Sequence, residues 1–235
     1  MADPHEAEKA AAAKAAVARV RSGMRLALGT GSTADLAVRA LRDRFPDGGG
    51  LTCVASSLRT ESLARDMHIA VGPLQPKDRF DLMIDGADEV DPSLCLTKGG
   101  GGALFREKFL ARRADTLLIV VDPSKVVHRL GTRSRIPLEV VPYARGSLIA
   151  ELASRAMTAT VRPAPDGNGT FRTDNGLEVL DVRPDHPIED PSRLEAELRA
   201  LPGVVETGLF VGLASAVFIG HADGTSEERV AAVSH

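Results

Sequence analysis

The chain has 235 residues, of which 43% are hydrophobic, and carries a formal net charge of −3. This length and composition suit a globular protein with one large or two small domains, each with its own core. The slightly acidic balance argues against nucleic acid or an anionic membrane surface as the main partner, because both bind strongly basic surfaces.

The first twenty residues, MADPHEAEKAAAAKAAVARV, predict a helix in which acids and lysines alternate with alanines. They lack the apolar core and the small-residue cleavage site of a signal peptide. The longest apolar stretch, GLFVGLASAVFIG, is shorter than the roughly 20 residues of a membrane-spanning helix. We therefore expect a cytoplasmic protein that does not enter a membrane.

The first half of the chain alternates short apolar runs with helical patterns. The apolar runs are RLALG, TCVAS, FDLMID and TLLIVVD, and the helical patterns between them are STADLAVRAL, TESLARDM and ALFREKFLARRA. This alternation predicts an α/β, Rossmann-like domain in which helices cover a parallel sheet.

After Gly131 the predicted elements follow the order β-α-β-β-α-β. Strand patterns occur in PLEVVP, TATVRP, GTFRTDNGLEVLDV and GVVET, and helix patterns in GSLIAELASRAM and PSRLEAELRAL. This is the split βαβ, ferredoxin-like order, with TDNG as the tight turn of its hairpin. The run GLFVGLASAVFIG predicts a buried last strand that returns to the first sheet. We predict a Rossmann-like domain of residues 1–131 plus 208–235, with a small α+β domain of residues 132–207 inserted before the last strand.

A glycine-rich turn joins the first predicted strand to the next helix in LALGTGSTADL. Helix N-termini bind anions through unpaired N–H groups and the helix dipole. The segment also matches the dinucleotide pattern G-x-G-x-x-[GA], but no acid follows the second strand to hold a ribose, and no lysine follows the second glycine as in a P-loop. A small phosphate is one interpretation and a tight turn with a Ser/Thr helix cap is the other. The hydroxyl donors of the turn are Thr30, Ser32 and Thr33.

Two carboxylates follow an apolar strand in FDLMIDGADEVD, at Asp85 and Asp88. Ligands of open α/β sheets bind just outside the carboxyl ends of the strands. At such an edge both acids could bind hydroxyl groups or move protons. The alternative is a glycine turn in which Asp88 or Asp91 caps the next segment.

Lys98 and four glycines precede a predicted helix in KGGGGALFREK. Glycine lets the backbone approach a ligand closely, and a lysine with bare amides favours developing negative charge. In the helix, Glu107 lies within an apolar face, where burial would raise the pKa of its carboxyl as a general base requires. The alternative is a surface acid favoured by the helix dipole. The residues of the apolar face are Ala103, Leu104, Leu110, Ala111 and Ala114.

A further apolar strand ends in a polar turn in LLIVVDPSKVV, where Lys125 lies three residues after Asp122. This lysine is either an anion contact or an ordinary surface lysine. The six histidines show no HxxxH spacing, and the two cysteines, Cys53 and Cys95, form no CxxC pair. We therefore expect no metal.

The motifs GTGST, DGADEVD, KGGGGALFREK, DPSK and PGVVETGLF together resemble one family closely, the A-type ribose-5-phosphate isomerases. The resemblance runs from the N-terminal helix nearly to the end of the chain. It implies interconversion of D-ribose 5-phosphate and D-ribulose 5-phosphate in the non-oxidative pentose phosphate pathway, without cofactor or metal and commonly by a homodimer. The chain departs from the family pattern at Leu177, after TDNG, and in the segment SSLRT.

The resemblance also implies roles for individual residues. Glu107 is the implied proton acceptor, and Lys125 and Lys9 are implied substrate contacts, Lys9 at the phosphate. Three implied substrate-binding loops consist of Thr30, Gly31, Ser32 and Thr33, of Asp85, Gly86, Ala87 and Asp88, and of Lys98, Gly99, Gly100 and Gly101.

In the implied reaction Lys98 steadies the oxyanion and Asp85 or Asp88 assists ring opening. Two other classes of function stay open: a non-catalytic regulatory module that binds sugar phosphates, and a related enzyme such as an amino-sugar-phosphate deaminase or a coenzyme A transferase. The position of Glu107 on an apolar helix face argues against a pure binding module, and no basic helix-turn-helix pattern accompanies it.

Overall fold

A computed structural model of the chain describes residues 3–230. The strands are β1 (Arg25–Leu28), β2 (Thr52–Ala55), β3 (Leu82–Asp85), β4 (Glu89–Val90), β5 (Leu96–Thr97), β6 (Leu117–Val121), β7 (Ile136–Val140), β8 (Met157–Val161), β9 (Glu178–Pro184), β10 (Val204–Thr207), β11 (Leu209–Phe210), β12 (Ala216–Gly220) and β13 (Ser226–Val230). The helices are α1 (Glu6–Val17), α2 (Ser32–Arg44), α3 (Leu58–Asp66), α4 (Leu104–Ala111), α5 (Arg145–Ser154) and α6 (Pro191–Arg199). Among the helices of this described region, none has the length and apolar character needed to cross a bilayer.

The chain divides into two compact units. The first consists of Met1–Ala87, Arg106–Val126 and Leu213–His235, and the second of Asp88–Phe105 and Val127–Gly212.

The first unit contains a six-stranded sheet in the order β13-β12-β6-β3-β1-β2. Every neighbouring pair is parallel except β12 and β13. Strands such as β6 are apolar and buried along their whole length, as expected when helices cover both faces of a parallel sheet. The alanine-rich face of α1 packs against α2, β6 and β12. The predicted Rossmann-like sheet is confirmed.

The second unit contains a four-stranded antiparallel sheet in the order β10-β7-β9-β8. Helix α5 packs beside β8 and α6 beside β10. Asp190 caps α6 by accepting a hydrogen bond from the N–H of Arg193, and Pro191 occupies the first helical position. This is the ferredoxin-like α+β arrangement that the sequence predicts. It lies before β12 in the chain, and one further strand, β13, follows β12.

The apolar run GLFVGLASAVFIG forms two strands instead of the single predicted one, and the second of them returns to the first sheet as predicted. Its first part is β11, which pairs with β5, and its second part is β12, which pairs with β6. Gly212 separates them with a left-handed φ of 65°, a conformation that ends an extended strand. Strand β13 was not predicted because its sequence, SEERV, is polar and mostly exposed.

The boundaries of the compact units differ from the predicted domains, 1–131 plus 208–235 and 132–207. Strands β4, β5 and β11 form a three-stranded sheet, and this pairing groups residues 88–105 with residues near 209. Such pairing is long-range, and the sequence carries no signal for it. Whether residues 132–207 fold as a domain separate from the rest of the chain stays a prediction.

The TDNG turn forms, but it does not join β8 to β9 directly as predicted. The N–H of Gly176 donates to the carbonyl of Thr173, and the N–H of Thr173 donates to the carbonyl of Leu177, both at 2.9 Å. The turn therefore closes on its own segment, within the longer connection of residues 162–177. Leu177 takes part through its backbone, so its departure from the family pattern leaves the turn intact.

Candidate active site

The carboxyl ends of four parallel strands meet at one edge of the sheet in the first unit. Strands β6, β3, β1 and β2 lie side by side in that order and run in the same direction. The chain leaves this edge at Asp122, Asp85, Gly29 and Ser56. Three of the predicted motifs therefore begin at the edge where open α/β sheets bind ligands.

The first loop, residues 29–33, is held against the end of β3. The N–H of Gly29 donates to the carbonyl of Ile84 at 2.9 Å, and the N–H of Thr30 donates to Oδ1 of Asp85 at 3.1 Å. A Cβ atom at Gly29 would lie 2.1 Å from that same Oδ1, so only glycine fits. Helix α2 begins at Ser32, and its first amides are therefore available to an anion.

The hydroxyl of Thr30 belongs to a network inside the protein. Its Oγ1 lies 2.7 Å from Oγ of Ser56, 2.8 Å from Oγ of Ser57 and 3.2 Å from Oγ1 of Thr60. Thr60 in turn donates to the carbonyl of Gly29 at 3.0 Å. The segment SSLRT, which departs from the family pattern, thus holds the first loop through its hydroxyl groups. The hydroxyls left to contact an anion are those of Ser32 and Thr33.

Lys9 brings a positive charge to the start of α2. Its Nζ donates to Oγ of Ser32 at 3.1 Å and to Oδ2 of Asp3 at 2.6 Å, and the side chain is largely buried. The hydrogen bond from Lys9 holds the pKa of the Asp3 carboxyl below its usual value. The interaction with Ser32 gives a structural basis for Lys9 as a phosphate contact.

Lys125 lies in a short 3-10 helix, Pro123–Lys125, immediately after β6. Oδ1 of Asp122 caps this helix by accepting from the N–H of Ser124 at 2.9 Å. The side chain of Lys125 is half-buried, and within residues 3–230 its ammonium group makes no hydrogen bond or ion pair. This is a cation available to an incoming anion.

Asp85 and Glu107 are buried carboxylates of the first unit. Asp85 is 0% exposed, and its Oδ1 accepts from the N–H of Gly86 at 2.8 Å as well as from Thr30. Glu107 is 3% exposed, and four residues of its predicted apolar face are buried with it. These are Ala103, Leu104, Leu110 and Ala111. A surface ion pair is therefore not the explanation for Glu107.

Asp88 and Lys98 belong to the second unit. Oδ2 of Asp88 accepts from the N–H of Gly100 at 2.9 Å. Lys98 is 3% exposed, and its Nζ lies 5.4 Å from the ring centroid of Phe210. The N–H of Lys98 donates to the carbonyl of Gly208 at 2.8 Å. A Cβ atom at Gly208 would lie 2.3 Å from the carbonyl oxygen of Lys98, so this approach requires glycine.

The four glycines after Lys98 form a tight turn, residues 99–102, which we call the glycine turn. The N–H of Gly102 donates to the carbonyl of Gly99 at 2.9 Å. Gly99 has a φ of 100° and Gly102 a φ of 80°, which side chains rarely adopt. A Cβ atom at Gly102 would lie 2.4 Å from the ring of Phe171. The bare backbone is thus required by conformation at both ends of the turn.

Glu89, the third acid of DGADEVD, has a structural function. It is fully buried, and its carboxylate accepts from the N–H groups of Gly131 at 2.6 Å, of Ser134 at 2.8 Å, and of Arg133. These bonds use its lone pairs to hold residues 131–134. Glu89 is therefore not available as a base.

Folding brings His5, Glu8 and Asp122 together in the first unit, with one potential ligand atom from each within 4.8 Å of the others. The sequence does not reveal this group, because Asp122 is distant from His5 and Glu8 along the chain. Nδ1 of His5 lies 2.5 Å from Oε2 of Glu8, so these two residues already share a hydrogen bond at the start of α1. The expected absence of a metal stays a prediction.

Both cysteines are buried and unreactive. Burial raises the pKa of the Cys53 thiol to about 12. Burial, followed by the charge of Asp91, raises the pKa of the Cys95 thiol to about 11. Thiols with such pKa values stay protonated near neutral pH, which excludes a cysteine nucleophile.

Comparison with known proteins decides the family. Residues 52–224 match the family described as ribose 5-phosphate isomerase A (phosphoriboisomerase A). The chain belongs to the ribose-5-phosphate isomerase A family. A protein of that name from Synechococcus sp. (strain WH7803) is 43% identical over 226 residues, which cover 95% of each chain. One from Thermomicrobium roseum is 46% identical over 220 residues, which cover 93% of this chain and 92% of the relative.

Solved structures of this isomerase family share the fold. The ribose 5-phosphate isomerase A of Methanocaldococcus jannaschii has a TM-score of 0.88 at 35% identity, covering 94% of this chain and 97% of that one. A D-ribose-5-phosphate isomerase solved in complex with phospho-erythronic acid has a TM-score of 0.91 at 34% identity, covering 98% of this chain and 100% of that one. The resemblance seen in the motifs and the predicted fold class are both confirmed.

The residues predicted from the isomerase motifs fall into two groups. In the first unit are Lys9, Thr30, Gly31, Ser32, Thr33, Asp85, Gly86, Ala87, Glu107 and Lys125. In the second unit are Asp88, Lys98, Gly99, Gly100 and Gly101. Two cations were not predicted from the sequence. Lys108, the residue that follows Glu107, is buried, and Arg162 contacts the glycine turn. A charge within the apolar pattern of α4 was a signal for Lys108, whereas Arg162 had none.

Proposed function

We propose that this chain catalyses the reversible isomerisation of D-ribose 5-phosphate to D-ribulose 5-phosphate through an enediolate. The observation that carries the proposal is Glu107, a carboxylate that is 3% exposed on an apolar helix face shortly after Lys98 and the glycine turn. A carboxylate base and a lysine beside bare amides are the two groups that this chemistry requires. Membership of the isomerase A family supports the same assignment.

Glu107 acts as the only base in this proposal. Aldose–ketose isomerisation moves a proton from carbon 2 to carbon 1 while the carbonyl moves the opposite way. A single carboxylate removes the proton from carbon 2 and returns it to carbon 1, because both carbons lie on the same enediolate. Burial of Glu107 limits the access of water, so that part of the protons return to the substrate before they exchange with solvent.

Lys98 and backbone N–H groups of the glycine turn stabilise the enediolate oxyanion. Hydrogen-bond donors that are already in place cost little reorganisation when the charge develops. Asp85 and Asp88 bind sugar hydroxyls, and one of them assists opening of the furanose ring, which exposes the carbonyl. Both acids are held in place by backbone N–H groups, Asp85 by Gly86 and Asp88 by Gly100.

The first loop binds the substrate phosphate. The support is the start of α2 at Ser32 and the hydrogen bond from Lys9 to Ser32, and the family motif assigns the ammonium group of Lys125 as a further phosphate contact. The phosphate does not react, so its binding energy serves to orient the carbons that do. Phospho-erythronic acid, which a related isomerase binds, carries a phosphate, hydroxyls and a carboxylate, and we expect it to compete with the substrate here.

One assay tests this function and separates it from the alternatives. The purified protein is mixed with ribose 5-phosphate, allose 6-phosphate or glucosamine 6-phosphate, and formation of ketose and of ammonia is followed. We expect ketose from ribose 5-phosphate and no ammonia from the amino sugar. Release of ammonia would indicate a deaminase, whereas binding of ribose 5-phosphate without turnover would indicate a regulatory module.

We also propose a homodimer that acts in the cytoplasm, in the non-oxidative branch of the pentose phosphate pathway. The support is the family resemblance, together with the absence of a membrane-spanning helix within residues 3–230. Size-exclusion chromatography with light scattering tests the dimer. A mass near 24.8 kDa, that of one chain, would contradict it.

A further inference from the structure

The glycine turn can adopt two backbone orientations with little difference in intrinsic energy. Its hydrogen bond from Gly102 to Gly99 makes Gly100 and Gly101 the central residues of a β-turn. In a type I turn the third residue has a φ near −90°, and in a type II turn it has a φ near +80°, with the central peptide rotated by roughly half a turn. Glycine adopts either φ readily, so the sequence alone does not select one orientation.

In this structure the turn has the type I orientation, since Gly101 does not have a left-handed φ. The side chain of Arg162 contacts the carbonyls on which this orientation depends. Its Nη1 donates to the carbonyl of Gly99 at 2.8 Å and to the carbonyl of Gly100 at 3.0 Å. In a type II turn the carbonyl of Gly100 would point away from the guanidinium, and the second bond would be lost.

Side-chain hydrogen bonds from Arg162 and to Asp88 hold two peptide groups of the glycine turn. The peptide between Gly99 and Gly100 is held at both ends, its carbonyl by Arg162 and its N–H by Oδ2 of Asp88 at 2.9 Å. The peptide between Gly100 and Gly101 is held at its carbonyl only. Because a trans peptide is planar, the N–H of Gly101 points opposite to Arg162. Within residues 3–230 this N–H donates no hydrogen bond, and Gly101 is exposed.

We propose that Arg162 is a positioning residue that selects the type I orientation of the glycine turn and so aims the N–H of Gly101 at the enediolate oxyanion. This inference rests on the proposed isomerase function and adds to it a residue outside the recognised motifs. Arg162 does not touch the substrate. It acts through the backbone of Gly100 and Gly101.

Arg162 is itself held rigidly, as a positioning residue must be. Its Nε donates to Oδ2 of Asp181 at 3.0 Å, and its Nη2 donates to Oδ1 of the same carboxylate. The pair is mostly buried, with Arg162 14% and Asp181 18% exposed. The guanidinium also lies 5.7 Å from the ring centroid of Phe171, the residue that packs against Gly102. A planar guanidinium can make all these contacts at once, whereas a lysine ammonium cannot.

The first test compares Arg162→Met with Arg162→Lys in the ribose 5-phosphate assay. Arg162→Met should lower kcat about twofold with KM unchanged, because losing the charged hydrogen bonds leaves the type I and type II orientations about equally populated, and only type I presents the N–H of Gly101. Arg162→Lys should restore part of kcat, since one ammonium can still bond to the carbonyl of Gly100. An unchanged kcat in Arg162→Met, or a rise in KM alone, would overturn the proposal.

Arg145→Met provides the matched control. Arg145 belongs to the same unit and pairs with the buried carboxylate of Glu178, which keeps Arg172 as a second partner. This variant loses an arginine of the same kind without touching the glycine turn. We expect kcat equal to that of the wild type within the error of the assay. A loss equal to that of Arg162→Met would show that a general destabilisation explains both.

A double-mutant cycle with Gly101→Ala tests how Arg162 acts. An alanine disfavours the positive φ of the type II turn, so it biases the turn toward type I without the arginine. Whatever Gly101→Ala does to kcat on its own, Arg162→Met should then lower kcat by a smaller factor in the Gly101→Ala background than in the wild type. Equal costs in the two backgrounds would contradict turn selection.

Two further measurements keep the proposal testable. If Arg162→Met does not fold, as judged by circular dichroism, Asp181→Asn takes its place, because it loosens the guanidinium while retaining its donors. The amide signal of Gly101 in protein labelled with ¹⁵N-glycine should shift in Arg162→Met and not in Arg145→Met. A wild type without isomerase activity would refute the proposed function, whereas an unshifted Gly101 signal would refute the positioning by Arg162.

Discussion

The first loop and the glycine turn are both glycine-rich segments that follow a strand, yet they are fixed in different ways. Hydroxyl and backbone groups make most of the contacts that hold the first loop, namely the hydroxyls of Ser56, Ser57 and Thr60 and the backbone of β3, and the carboxylate of Asp85 accepts one further N–H, that of Thr30. Charged side chains hold the glycine turn, with Asp88 on its N–H side and Arg162 on its carbonyl side.

This difference matches the charges that the two segments are proposed to meet. A phosphate is charged before, during and after the reaction, so a fixed helix N-terminus with two lysines suffices. An oxyanion exists only while the reaction is under way, so its donors must already point at an oxygen that is not yet charged. Orientation of single peptide groups therefore matters more at the glycine turn, and charge matters more at the first loop.

The largest expected effect is that of Glu107→Gln. This variant removes the proposed base and leaves the first loop, the proposed phosphate site, intact. Glutamine keeps the size of the side chain and suits a helix. We expect kcat to fall by at least ~10²-fold with a modest change in KM, because a positioned base contributes at least that factor. Exchange of the carbon-bound proton with solvent should fall in parallel.

The control for Glu107→Gln is Glu151→Gln, which changes an exposed acid of α5 and should leave kcat unchanged. Circular dichroism verifies that both variants fold. A near-normal kcat in Glu107→Gln would mean that the base lies elsewhere, and Asp85 and Asp88 would be the next candidates.

Gly29→Ala tests whether the first loop depends on its shape. The new methyl group would lie 2.1 Å from Oδ1 and 2.6 Å from Cα of Asp85, so the strand end or the loop must move. We expect the free energy of unfolding, measured in urea, to fall by about 1–3 kcal/mol, as for overpacked sites, and KM to rise. Gly72→Ala is the matched control, since its methyl group would meet nothing within 4 Å. Equal stability of the two variants would contradict the close packing of Gly29 on Asp85.

Lys125→Ala tests whether charge dominates at the first loop. The ammonium contacts a phosphate equally in the ground state and the transition state, so its loss should raise KM while kcat changes little. The effect should diminish as salt is added, because dissolved ions screen a charge that is partly open to solvent. Lys77→Ala, at an exposed lysine, serves as the control. Kinetics identical to the wild type at low salt would identify Lys125 as an ordinary surface lysine.

The smallest expected effect is that of chelation, which should leave the rate unchanged. The oxyanion is assigned to Lys98 and backbone amides, so no step calls for a metal. EDTA is added during the ribose 5-phosphate assay, followed by magnesium or zinc. A rate that falls in EDTA and returns with metal would direct attention to His5, Glu8 and Asp122, and a His5→Ala variant would then show whether that group binds the ion.

Local patterns in the sequence predicted much of the fold and part of the site. The helical period around Glu107 predicted its burial, and each turn motif after an apolar run lies at a strand end. These signals are short-range, because the side chains that define them lie within one or two turns of the same element.

Features that depend on distant pairing were not predictable. Nothing in the run GLFVGLASAVFIG indicates that Leu209 and Phe210 pair with β5, whereas Ala216–Gly220 pairs with β6. Arg162 reads as an ordinary arginine at the end of a half-exposed strand, and only folding brings it to the carbonyls of Gly99 and Gly100. The hydroxyl network of Thr30 likewise joins residues from two separate connections.

Gly208 shows that a position can be essential through the atoms it lacks. It offers no functional group, and its part is to leave room for the carbonyl of Lys98, which a Cβ atom would approach to 2.3 Å. Any larger residue at position 208 would push on the backbone that carries the proposed oxyanion lysine. Position 208 is therefore restricted to glycine whichever side chain stands at position 98, and a substitution at position 208 requires the backbone to move.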